Sequence, residues 1–158
     1  MILLVHMLFG VAIGALYQNF TYGIIAAFLS HYFLDLFPHI EYIKDVEGTI
    51  QKIRGTFNNK ESIKNTSKVF ADFLIGILLI LFLTKANMHF FVFALVSILP
   101  DGATIIHSLF PSKASQKHHD IHTEKIQFLK YKKIPIFWQI FSQLFILAIS
   151  VAILRFFI

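Results

Sequence analysis

Ser30-His31-Tyr32-Phe33-Leu34-Asp35-Leu36-Phe37-Pro38-His39 closes a strongly apolar run at residues 24–29 and sets His31, Asp35 and His39 at steps of four. On a helix, steps of four keep side chains on nearly one face. Imidazoles and a carboxylate inside a hydrophobic helix are costly unless they pair or bind something. The reading of the whole chain turns on this stretch: a helix that belongs among apolar surroundings but carries metal-ligand chemistry at its end.

Outward from it, the same pattern recurs. Apolar runs occupy residues 2–17, 24–37, 69–84, 88–99 and 134–158, each with few charges. Hydrophobic residues make up 56% of the 158, and the mean hydropathy is +0.68. That exceeds the apolar share of a soluble domain. The expectation is an all-α integral membrane bundle of about five transmembrane helices, one domain over residues 1–158. Residues 18–23 and 85–87 read as short turns. Residues 40–68 and 111–133 read as polar, charged loops, the first with a short interfacial helix and a mobile Asn58-Asn59 turn. Pro38 disturbs the end of the second helix. Pro100-Asp101-Gly102 interrupts the fourth, and residues 103–110 either extend it or lie at the interface. Sixteen residues span only roughly 24 Å at 1.5 Å each, against a hydrocarbon core of about 30 Å. The shorter helices therefore imply local thinning or ends at a polar pocket. Met1 leads straight into apolar residues without a basic stretch, so residues 2–17 are expected to be a retained helix, not a cleaved leader.

A shift of 66 residues places His6 on Asp72, Gly10 on Gly76 and Asp35 on Asp101. This weak repeat suggests two parallel helical hairpins plus a C-terminal helix; the alternative is coincidence in an apolar sequence. In either case, five alternating spans bring His6, His31, Asp35, His39, Asp72, Asp101, His107 and the cluster at 118–122 toward one side. Of the 14 Lys and Arg, 12 lie in the two polar loops of that same side. The positive-inside tendency then makes the loops and the N-terminus cytoplasmic and the C-terminus external, in a bacterial-type cytoplasmic membrane.

Imidazoles and carboxylates at one depth point to a divalent cation, zinc first, with manganese or iron also suited. The candidate ligands are His6, His31, Asp35, Asp101 and His118. Asp72 and His122 are the candidates for moving a proton at a bound water. Each also has a bland reading: His6 as a packed interface histidine, Asp35 and Asp101 as caps or lysine partners, and His118, His119 and His122 as a solvated run. Whether His39, His107 and His119 join is open. With no Cys, thiolate chemistry and disulfides are excluded. The 19 Phe read as lipid contact and packing. The net charge of +5 is loop charge interspersed with acids, which argues against nucleic acid as a partner.

Val5-His6-Met7-Leu8-Phe9-Gly10, Ser30-His31-Tyr32-Phe33-Leu34-Asp35 and Leu99-Pro100-Asp101 resemble motifs of the membrane-bound metal-dependent hydrolases, also described as LexA-binding inner-membrane-associated hydrolases. The resemblance covers about a third of the chain in patches. It departs at Gly102-Ala103-Thr104, where the family has Asp-His, and in the order of the elements. It implies a small multi-spanning protein with a metal-dependent hydrolytic site carried by His6, His31, Asp35 and Asp101. The expected function is hydrolysis of a lipid or lipid-linked substrate at the cytoplasmic face. The alternatives are a metal-ion or proton transporter, and a haem-binding or structural membrane protein.

Overall fold

The computed structural model describes residues 2–40, 60–110 and 112–158. All regular structure among them is helical: α1 (Leu3–Ala15), α2 (Phe20–Asp35), α3 (Lys60–Leu83), α4 (Met88–Ser97), α5 (Leu99–Leu109), α6 (Lys113–His119) and α7 (Ile136–Phe157). A π-helical turn, Asp120–Ile126, and a 3-10 turn, Phe128–Tyr131, follow α6.

The first helix lies at the centre. It packs against α2, α3, α4 and α7, and Leu4 through Ala12 are buried without a break. A helix apolar on every side has no preferred outer face and is stable only where other helices surround it. Close approach is made possible by small residues. A Cβ on Gly10 would collide with the Ser97 side chain of α4, and one on Gly14 would lie 2.5 Å from the Phe93 ring. The same ring fills the notch at Gly23 of α2, where a Cβ would meet its Cζ at 2.8 Å. Gly10→Ala is therefore expected to cost about 1–3 kcal/mol, the usual range for overpacking. Thermal unfolding in detergent measures that loss, and an unchanged midpoint would show that α1 and α4 are not packed this closely.

Local signals set the helix ends. The Asn19 side chain accepts from the Thr21 and Tyr22 amides at 3.0 and 3.3 Å, so α2 starts at Phe20 and the predicted turn over 18–23 is shorter than expected. Asn87 caps α4 through the His89 amide at 3.1 Å. Lys85 and Ala86 adopt left-handed backbone conformations that end α3, in the tight turn expected there. Pro100 falls in the first turn of α5, where its missing amide removes no helical bond. The chain bends by 45° between α4 and α5. Residues 103–110 thus belong to a helix that already begins at Leu99.

Two boundaries differ more widely from expectation. Helix α3 starts at Lys60, about two turns before the apolar run at 69, because a solvated first stretch with Lys64 and Lys68 exposed can remain helical. The polar segment 111–133 is mostly helical rather than a loop, with Ser112 and Ser115 forming a capping box at the start of α6. The expected interfacial helix and Asn58-Asn59 turn lie outside the described residues.

Among the described residues, two helical segments are long and apolar enough to cross a membrane, Thr66–Leu83 and Ile136–Phe157. The bent pair α4–α5 makes a third if it is one span. At 13 and 16 residues, α1 and α2 fall short of the roughly 20 that a full crossing needs. Outward-facing Phe137, Trp138, Phe141 and Phe145 give α7 an exposed aromatic surface.

Candidate metal centre

Four side chains converge where α2 ends, α5 begins and the π-helical turn returns. The ligand atoms of His31, Asp35, Asp101 and His122 all lie within 4.8 Å of one another. His31 and Asp35 share one face of α2 at the spacing of one turn. Asp101 sits in the first turn of α5, placed by Pro100. His122 comes from the π-helical turn. A π segment is rare and frequent at functional sites, because its extra residue re-aims a side chain out of the α-helical register.

The spacings suit a small cation. His122 Nε2 is 2.9 Å from Asp35 Oδ2 and 3.9 Å from Asp101 Oδ1. His31 Nε2 is 3.3 Å from Asp35 Oδ2, 3.5 Å from Asp101 Oδ1 and 3.0 Å from His122 Nε2. A tetrahedral ion with ligands at about 2.0–2.1 Å has ligand-to-ligand edges of about 3.3 Å. The five separations bracket that value.

The second layer of contacts fixes which nitrogen faces inward. His31 Nδ1 lies 2.8 Å from the Ser97 carbonyl, which can only accept, so Nδ1 carries the proton. Thr104 Oγ1 donates to the Pro100 carbonyl at 3.3 Å and is thereby left to accept from His122 Nδ1 at 3.2 Å. When both imidazoles are neutral, each turns a bare Nε2 lone pair toward the other and toward two carboxylates. A metal-binding histidine is normally oriented in this way by a partner on its other nitrogen. Gln127 Nε2 donates to Asp35 Oδ2 at 3.0 Å and helps hold that carboxylate. His31, Asp35 and His122 are at most 2% exposed, whereas the Asp101 side chain is 31% exposed. Among the described residues, Asp101 is the member of the group open to the outside. Tyr32 sets its ring edge-on to His31 and His122 and walls the group.

The other residues singled out in the sequence fall in different places. His6 stacks on His31 with ring centroids 4.1 Å apart, and its Nε2 approaches Asp35 Oδ1 at 3.3 Å. His118 donates from Nε2 to the Pro100 carbonyl at 3.2 Å and stacks on His122, so it braces the group from behind. His122, read in the sequence as a proton carrier, stands in the converging group itself. Asp72 is at the other end of its helix contact: its Oδ2 accepts the Leu4 amide at 3.0 Å and caps the buried start of α1. Gln143 of α7 accepts the Ile2 amide at 3.2 Å beside it. His39 bonds the Phe37 carbonyl. His107 pairs with Ser115 at 2.9 Å and lies 5.1 Å, ring to ring, from His119, in a separate contact between α5 and α6. Haem ligation by His6 and His31 does not suit this geometry, since axial imidazoles point at each other across the iron and these rings lie face to face.

As a cap from another helix, Asp72 is expected to act on stability. Asp72→Ala should lower it by about 0.5–2 kcal/mol, the range for a lost N-cap, with zinc affinity unchanged. Isothermal titration beside thermal unfolding separates the two effects, and a lost metal with an unchanged melt would put Asp72 at the centre instead.

Sequence reasoning passed over Ser97, Thr104, Gln127 and Tyr32. Ser97 contributes through its backbone, which carries no side-chain signal, and Gln127 is one of many polar residues in a charged segment. The spacing of His118 and His122, four residues apart in the sequence, is the signal that marks the third arm of the group. No protein-family model, curated protein or solved structure matches the chain.

Proposed function

We propose that the protein is a membrane-embedded, metal-dependent hydrolase acting on a lipid or lipid-linked ester, amide or phosphoester. The observation that carries this is the pair of imidazole Nε2 atoms, 3.0 Å apart, facing two carboxylates. Two imidazole nitrogens and two carboxylates turned on one point repel each other unless a proton or a metal cation lies among them, and four such ligands at these spacings favour the metal. His31, Asp35, Asp101 and His122 would hold it, and zinc suits two imidazoles with two carboxylates. When bound, such an ion lowers the pKa of a coordinated water and polarises a carbonyl or phosphoryl oxygen.

The chain's own residues define the rest. Asp35 is fixed by Gln127 and stays buried. Asp101, partly exposed, faces the side from which a substrate arrives. His118, outside the ligand group and half-buried, is available for proton transfer. The site opens beside helices whose outer surfaces are apolar, with Leu36, Leu99, Ile105 and Ile106 exposed. An acyl chain would find contact there, which favours a lipid over a soluble substrate. In this reading α1 and α2 join the three membrane-capable segments in a five-helix bundle, with the basic segments at the cytoplasmic face. The scattered motifs shared with the membrane-bound metal-dependent hydrolases support the same assignment.

The test is hydrolysis of defined phospholipids in mixed micelles by purified protein, with zinc or manganese added and then chelated. The expected result is release that depends on the ion and is lost in His122→Ala. Metal bound without turnover of any lipid class, together with ion uptake in vesicles, would replace the hydrolase by a transporter.

A further inference from the structure

His6 is completely buried, and neither ring nitrogen has a hydrogen-bond partner among the described residues. A buried imidazole left this way is expensive, and such exceptions in folded proteins usually mark a bound water or ion. The ring is not free to turn away. It is stacked on His31 at 4.1 Å with an interplanar angle of 21°. Its Nε2 lies 3.3 Å from Asp35 Oδ1, without the angles of a hydrogen bond.

Asp35 divides its two oxygens. Oδ2 faces His31, His122 and Gln127. Oδ1 faces His6. We propose that His6 Nε2 and Asp35 Oδ1 hold a second divalent cation, with Asp35 bridging it to the ion of the main group. Carboxylates that bridge two ions about 3.5–4 Å apart are the common frame of two-metal hydrolytic sites, in which substrate and water complete the coordination. The partly exposed Asp101 lies on the side from which those further ligands enter. This inference rests on the metal reading of the main group but makes its own prediction about stoichiometry.

The experiment is manganese loading of the full chain in detergent, read by elemental analysis and by electron paramagnetic resonance. Wild type is expected to bind about two ions per chain, with a spectrum showing magnetic coupling between them. His6→Phe preserves the stacked ring on His31, and His6→Ala removes it. Both are expected to bind about one ion with an uncoupled spectrum. Wild type with one uncoupled ion, unchanged in His6→Phe, would overturn the second site and leave the first standing. Two coupled ions retained in His6→Phe would also overturn it. Wild type that binds none would overturn both.

Discussion

Asp35→Asn is expected to abolish the stabilisation that zinc confers. The substitution keeps shape and removes one charge from the centre of the group. An amide NH2 in place of one oxygen can donate to the bare Nε2 of His31 or His122, which relieves the acceptor crowding without an ion. The metal-free variant should therefore be at least as stable as metal-free wild type. The response to metal should differ sharply. A ligand at about 100 times its Kd stabilises by roughly 2.7 kcal/mol. At roughly 2–4 °C per kcal/mol for a chain of this size, wild type should gain about 5–11 °C on zinc addition. Asp35→Asn should gain almost nothing, since even loss of an outer partner weakens metal binding by about 10–100-fold and a ligand counts for more. Thermal unfolding with and without zinc checks this. An equal zinc shift in both proteins would remove Asp35 from the site.

Chelation is expected to release the segment from α6 to the 3-10 turn. Gln127 attaches that segment to Asp35 across 92 residues of sequence, and a cation held by His122 and Asp35 would add a second tie across 87. Without a cation that second tie is lost, while His122 Nε2 stays 3.0 Å from His31 Nε2. Further ties are the His118 bond to the Pro100 carbonyl, the Thr104–His122 contact and the His107–Ser115 pair. Lys113, Lys117, Lys125 and Lys130 offer trypsin sites there. Cleavage at Lys117 and Lys125 should accelerate by about tenfold or more on metal removal, because a loss of about 1.4 kcal/mol in local stability raises the open population tenfold. Lys85, in the turn between α3 and α4, is the internal control and should be cut at the same rate in both states. Equal rates at all three would mean that the segment is held without an ion.

The helical character and its apolar runs were legible because composition alone determines them. So was the His31–Asp35 pair, since both residues sit on one turn of one helix. Asp101 was legible beside Pro100, which interrupts the fourth apolar run there. The rest depended on contacts that no local pattern encodes. His31 finds the Ser97 carbonyl 66 residues away, and His122 finds His31 across 91. The shared polarity of the 118–122 cluster hid which histidine converges and which one braces, and only the π-helical turn separates them. Asp72 looked like a functional carboxylate because a charge inside an apolar helix usually is one. Its partner is a backbone amide at the buried end of α1, a group that sequence does not display. The start of α3 at Lys60 was missed because helix continuity there rests on solvated residues without an apolar stripe.

The central claim is that His31, Asp35, Asp101 and His122 surround a divalent cation. Elemental analysis of detergent-purified protein tests it most directly, with wild type beside the His31→Ala/Asp35→Ala variant. At least about one zinc, manganese or iron per chain in wild type, lost in a variant that still runs as a folded species on size exclusion, is the predicted result. Metal absent from both preparations, and not restored to wild type by added ions, would contradict it.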